Sequence, residues 1–151
     1  MASATGTGTR RILGVDYGAK RIGLSLSDPL QILATSYRAL DNSPSVWRTL
    51  AEIVAQEDVE LIVVGMPVTL KGEKGKKAQE VEEFMTELRA HVHVPVVQWD
   101  ERFTTSIAQR TRLSMGTKRS DRRHRDGSLD AMAAAVMLQG FLDSRKNSIC
   151  S

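Results

Sequence analysis

The chain is poor in the side chains that cross-link a fold or bind soft metals. It has one cysteine, Cys150, and three histidines in 151 residues. A single thiol closes no internal disulfide, so the fold must hold without one, as suits a reducing compartment. His91 and His93 flank one valine with no acid or thiol at zinc-ligand spacing, so no zinc site is expected there. Aromatic residues are only 5% of the chain, which leaves aliphatic side chains to make the core. No apolar run approaches membrane-spanning length, and the opening MASATGTGT lacks the apolar centre of a signal peptide. The expectation is a cytoplasmic protein with no membrane partner. Its length suits one domain, with residues 1–10 a disordered lead-in, 11–143 the folded unit and 144–151 a C-terminal tail.

Charge is unevenly placed. The net charge is +3, yet the segment QRTRLSMGTKRSDRRHR (109–125) holds seven Lys or Arg against one acid, Asp121. That local +6 leaves 14 basic and 17 acidic residues elsewhere. A basic segment on a near-neutral body suits a polyanion, because cations that displace counterions from phosphates gain affinity without reading sequence. Charge alone leaves open a solvated loop that serves solubility.

The apolar pattern predicts strands at 12–16 and 22–27, joined by the hairpin turn Tyr17-Gly18-Ala19-Lys20-Arg21, and a third strand at 34–40. DNSPS supplies turn and cap chemistry, after which Val46, Trp47, Leu50, Ile53 and Val54 share a helical face. ELIVVG (60–65) reads as a strand buried on both faces. MPVTLKGEKGKK (66–77) is expected as a loop, and Ala78, Val81, Phe84, Met85 and Leu88 mark a second helix. A strand at 95–99, a helix at 104–115, the basic loop and a helix at 128–142 complete the chain. Three strands followed by alternating helices and strands predict an α/β fold: a mixed five-stranded sheet with helices on both faces.

In such sheets, sites lie beyond the carboxyl ends of parallel strands. Asp16 ends the first strand and Asp100-Glu101 ends the last. In GSLDAMAAAVMLQGFLD, Asp130 is the only charge between Leu129 and Leu138, with Leu129, Met132, Ala133, Val136 and Met137 expected as its helix's apolar face. An ionised carboxylate in apolar surroundings needs a cation or water, though an acid in a first helical turn also complements the dipole. Carboxylates at the ends of rigid elements suit hard divalent ions, which take oxygen ligands and keep several waters. Paired ions of this kind can activate water and stabilise the departing oxygen of a phosphodiester.

GVDYGAKRIGLSLSD, VVGMPVTLKGEKGKKAQEVEEF, DERFTT and SLDAMAAAVMLQGFLD resemble, in order, the signature blocks of a bacterial family, and they span nearly the whole chain. It is the Holliday-junction-resolvase-like family, also called the pre-16S ribosomal RNA nuclease family. The resemblance implies a ribonuclease H-like fold and a cytoplasmic nuclease that helps mature the 5′ end of 16S rRNA. It also implies that Asp16, Glu101 and Asp130 are the catalytic acids and hold Mg²⁺ or Mn²⁺. The family often has lysines directly before the last block, where this chain has Arg122-Arg123-His124-Arg125-Asp126. Arginine keeps the charge and can hold phosphate bidentately. Asp126 is read as a helix cap, with an extra ligand as the alternative.

Other residues carry two readings each. Gly14 and Gly18 flank Asp16 and would admit backbone or phosphate, or serve turn geometry alone. Lys20 and Arg21 are candidates for phosphate contact, or solvated turn residues. Arg102 and Thr104 are further candidates, Thr104 also as a cap. Arg119, Arg122, Arg123 and Arg125 would position a nucleic-acid backbone. Adjacent strand residues face opposite ways, so Asp100 and Glu101 compete for the strand-end role, and the family motif selects Glu101. Three activities follow: a metal-dependent nuclease on structured RNA in the pre-ribosomal particle, a resolvase of branched DNA, or a non-catalytic RNA-binding factor. The resolvase needs a symmetric dimer, for which the sequence shows no clear seam, so a monomer or weak homodimer is expected.

Overall fold

An apolar run and a run alternating aliphatic with small residues, at the start of the chain, make a hairpin whose strands are buried on both faces. The computed structural model describes residues 10–66, 75–100 and 128–150. Strand β1 (Arg11–Asp16) pairs antiparallel with β2 (Arg21–Ser27), and β2 pairs antiparallel with β3 (Ala34–Asp41). Helix α1 (Val46–Gln56) leads to β4 (Val59–Met66), which lies parallel to β1. Helix α2 (Lys76–His91) leads to β5 (Val96–Asp100), parallel to β4, and α3 (Ser128–Cys150) follows. The sheet has five strands in the order β3-β2-β1-β4-β5. The mixed sheet with helices on both faces is therefore present.

Alternation along the strands sorts side chains into two cores. Leu13 and Val15 of β1 join Leu24, Ile62, Val64 and the inner faces of α1 and α2. Ile12 of β1 and Val63 of β4 face the other way, into a smaller cluster with Met137, Leu138 and Leu142 of α3. Each fully buried aliphatic side chain contributes about 1.5–3 kcal/mol, so the larger cluster dominates the sheet's stability. Trp47 packs against that cluster, as its place on the α1 face predicts.

Helix α3 seats itself on the sheet through small residues. A Cβ on Gly14 would stand 2.9 Å from the Cβ of Leu138 and 2.4 Å from Ser25 Oγ. Ser25 Oγ donates to the Ala134 carbonyl at 2.8 Å. The buried face is Ala131, Ala134, Met137, Leu138 and Leu142, while Leu129 is 44% exposed. Of the face expected from the sequence, Met137 is buried, while Met132, Ala133 and Val136 are only half-buried and Leu129 is exposed, so the face is corrected. A helix that is apolar nearly all round offers periodicity no choice of side, and close approach to the strands selects the alanines.

Two boundaries also shift. Lys76 and Lys77, assigned to a loop, open α2, with extended backbone at Gly75 marking the start. Helix α3 runs on past Leu142 through Cys150, so residues 144–150, set aside as a tail, are helical. The helix expected at 104–115 and the basic loop lie outside the described residues.

At the opposite end of the sheet from Asp16, Asp28 organises the β2–β3 connection. Its Oδ1 accepts the backbone N–H groups of Ile32 (2.7 Å) and Leu33 (2.8 Å), and its Oδ2 accepts that of Leu30 (3.2 Å). These bonds, that of Leu33 foremost, hold the Asp28 carboxyl below the usual carboxylate range despite some desolvation.

Candidate active site

Asp16 is the last residue of β1, where the buried run meets solvent. Strand alternation puts it on the same side as Ile12 and Gly14, the side α3 covers. In the ladder it stands opposite Gly23 of β2. Gly23 in turn lies against the first turn of α3: a Cβ there would be 2.0 Å from the Asp130 carbonyl oxygen. Asp16 and Asp130 are therefore brought to one place by their common neighbour, although the sequence separates them by most of its length.

Arg21 completes this corner. It opens β2 on the same side as Gly23 and Ser25, and its Nε donates to Asp130 Oδ2 at 3.1 Å. Both side chains are 38% exposed, so the pair sits at a mouth open to solvent. An ion pair this exposed contributes ~0–1 kcal/mol. It fixes where the carboxylate points more than it stabilises the fold.

The turn before Arg21 is held from outside. Asn42 Nδ2 donates to the Gly18 carbonyl at 2.9 Å, and the Asn42 N–H donates to the Lys20 carbonyl at 2.9 Å. A Cβ on Gly18 would meet the Arg21 carbonyl at 2.3 Å, so the turn itself demands glycine there. Lys20 is exposed at the tip. Sequence reasoning missed Asn42, Gly23 and Ser25. Asn42 gives no signal in isolation, whereas glycine and serine at alternate positions within an apolar strand mark the close approach of another backbone.

The other parallel strands end on the same edge. Val15 pairs with Val64, Gly65 with Trp99 and Met66 with Asp100, so the carboxyl ends of β1, β4 and β5 lie side by side. Val97 and Trp99 of β5 face the α3 side, while Val96 faces the other core, and Asp100 follows Val96 in the alternation. Glu101, Arg102, Thr104, Arg119, Arg122, Arg123 and Arg125 lie outside the described residues. Lys71 and Lys74, in the segment expected as a loop, lie outside them too.

Among the described residues, no cluster of three or more His, Cys, Asp or Glu has metal-binding geometry. What is present is Asp16 at the end of β1 and Asp130 at the start of α3, both beside Gly23 and both partly exposed. These donors are hard oxygens with solvent access, and they fit a hydrated divalent ion such as Mg²⁺ or Mn²⁺ better than a soft or closed metal site. His91 is otherwise engaged, stacked on Trp47 with ring centroids 5.2 Å apart and 3.2 Å from Glu87 Oε2.

A family model described as "Holliday junction resolvase", RuvX, matches residues 10–144. Among curated proteins, one from Roseiflexus sp. (strain RS-1) is 38% identical over 139 residues, covering 90% of this chain and 96% of its own. One from Sulfurihydrogenibium sp. (strain YO3AOP1) is 36% identical, covering 88% and 90%. Both carry the name "Putative pre-16S rRNA nuclease". Among solved structures, T. thermophilus RuvC in complex with Holliday junction substrate aligns at a TM-score of 0.58 with 16% identity, over 91% of this chain and 96% of its own. A fowlpox virus resolvase in complex with junction DNA aligns at 0.53 with 11% identity, over 89% and 98%. At such identity these structures speak for the fold, which is the ribonuclease H-like one.

Proposed function

Because the chain belongs to the RuvX Holliday junction resolvase family, we propose that it is a divalent-metal-dependent nuclease. It hydrolyses phosphodiester bonds in structured RNA, and its substrate is the 5′ region of pre-16S rRNA, met in the cytoplasm within a pre-ribosomal particle. The observation that carries the reading is the meeting of Asp16 and Asp130 across Gly23 at the carboxyl edge of the sheet. Relatives named as pre-16S rRNA nucleases support the choice of RNA.

Asp16, Glu101 and Asp130 would hold Mg²⁺ or Mn²⁺ through carboxylate oxygens. Alternation puts Asp100 on the side of β5 opposite α3, and the family motif supplies Glu101 as the third acid. A bound divalent ion supplies Lewis acidity at the phosphoryl group and lowers the cost of the charge that develops there. The chain's own part is to bind and orient the strand. Gly18 keeps the hairpin tip low enough for a strand to pass, and Lys20 and Arg21 meet its phosphates. Arg102 and Thr104, which follow β5 in the sequence, would add further phosphate contacts. Arg119, Arg122, Arg123 and Arg125 add the counterion-releasing contacts that hold a polyanion at physiological salt.

Incubation of precursor 16S RNA with the protein and Mg²⁺ or Mn²⁺ tests this directly. Cleavage that chelation stops and Asp16→Asn abolishes is the expected result. Undiminished cleavage by Asp16→Asn removes the assigned role, and RNA binding with neither cleavage nor metal uptake leaves a non-catalytic RNA-binding factor. A second reading, cleavage of branched DNA, is favoured by the description of the family model itself. It needs two sites facing opposite strands. A monomeric mass that persists with junction DNA bound counts against it, and the protein is proposed to act as a monomer or weak homodimer. Among the described residues, no helix is long and apolar enough to cross a membrane.

A further inference from the structure

The Asp130 carboxylate has a claimant already in place. Arg21 Nε holds its Oδ2 at 3.1 Å, and both residues stand at the mouth of the site. The inference drawn from this pair rests on the metal-dependent reading above. The strand row Arg21-Gly23-Ser25 is the track on which α3 lies, with Gly23 against the Asp130 carbonyl and Ser25 against that of Ala134. Arg21 ends that track beside the first turn of α3, where the positive end of the helix dipole lies. A guanidinium is poorly placed there by itself. Asp130, the acid of that first turn, offsets the clash.

We propose that Arg21 is a positioning residue, an internal counter-ion that holds Asp130 over Gly23 until a divalent ion arrives. The ion and the guanidinium then compete for the same carboxylate lone pairs and repel one another. Arg21 leaves Asp130, and a phosphate of the incoming strand becomes its new partner. A planar, permanently charged donor set suits phosphate as well as carboxylate. The exchange couples the two ligands: the ion frees Arg21 for the strand, and by reciprocity a bound strand tightens the ion. Without ion or strand, Asp130 stays oriented without being spent.

The test is Mn²⁺ affinity, read by electron paramagnetic resonance of the free ion with no nucleic acid present. Arg21→Gln should bind Mn²⁺ about three- to tenfold more tightly than the unaltered chain, the range of an exposed ion pair plus a like charge removed. Lys20→Gln makes the same charge change one residue away, outside the pair, and should shift the affinity by less than about twofold. A structural role for Arg21 predicts the opposite, weaker Mn²⁺ binding in Arg21→Gln. Asp16→Asn and Asp130→Asn separate the two levels of the argument. If either binds Mn²⁺ as the unaltered chain does, the metal assignment falls and the counter-ion role with it. If both lose Mn²⁺ while Arg21→Gln binds no more tightly than the unaltered chain, only the counter-ion role falls. A second measurement needs no variant: a phosphorothioate RNA hairpin that resists hydrolysis should tighten Mn²⁺ binding by the unaltered chain. Equal Mn²⁺ affinity with and without the hairpin overturns the coupling.

Discussion

The main-chain carbonyl of Asp130 stands so close to Gly23 that a Cβ on the glycine would lie 2.0 Å from the oxygen. The spacing between β2 and α3 is thus set by a missing side chain, and with it the spacing between Asp130 and Asp16, which pairs with Gly23.

Gly23→Ala should therefore damage both stability and chemistry. The obstacle is backbone, which cannot swing aside as a side chain can, so α3 must move outward. We expect a loss of about 1–3 kcal/mol or more in urea unfolding, together with loss of cleavage in whatever fraction stays folded. Unchanged stability would mean that the helix does not sit on this glycine.

Much of this arrangement is legible in the sequence, for physical reasons that differ by element. Burial on both faces makes β1 and β4 read as short apolar runs, β2 reads as an alternating run, and the acids that close β1 and open α3 stand out because their neighbours are uncharged. The orientation of α3 is not legible, since Ala131, Ala134 and Leu138 look no more core-like than Met132, Ala133 and Val136 on a helix apolar almost throughout. Nor is the bond between Arg21 and Asp130, residues 109 positions apart. A long-range pair leaves no periodicity, and Arg21 in isolation reads as a phosphate ligand. The start of α2 at Lys76 is hidden because lysines next to glycines resemble a loop.

Two buried serines on β2 should behave differently when truncated. Ser27 Oγ accepts the backbone N–H of Ile12 at 2.8 Å and donates to the Asp28 carbonyl at 2.9 Å. Ser27→Ala orphans that buried donor and should cost about 1–3 kcal/mol. Ser25 Oγ only donates to the Ala134 carbonyl, so Ser25→Ala should cost about 0.5–1.5 kcal/mol. Chemical denaturation of both variants checks the order.

Asp28 should shape the acid limb of stability. Its folded-state pKa lies below the unfolded value, with the Leu33 N–H the largest cause. The stabilisation is then complete above the unfolded pKa of about 3.9 and is lost as pH falls through the lower folded value. Asp28→Asn removes that pH-dependent part, so its stability deficit should shrink below about pH 4. Thermal melts of the two proteins across pH 2–6 measure it.

Asp130→Asn should separate folding from catalysis. The Arg21 pair is more than a third exposed on both sides, so the fold should lose no more than about 1 kcal/mol. Cleavage should fall by more than about 100-fold, the upper end for a group that merely supports a metal ligand. A smaller loss, measured in single-turnover assays with Mn²⁺, would place Asp130 outside the reacting centre.

The distance along the chain between Arg21 and Asp130 also has a meaning in time. Translation adds Arg21 109 residues before Asp130, a delay on the order of 5–20 s. On the site proposed above, a nascent polypeptide, or one clipped before α3, would hold only part of the carboxylate set. Such a chain would not cut RNA beside the ribosome that makes it until α3 is in place.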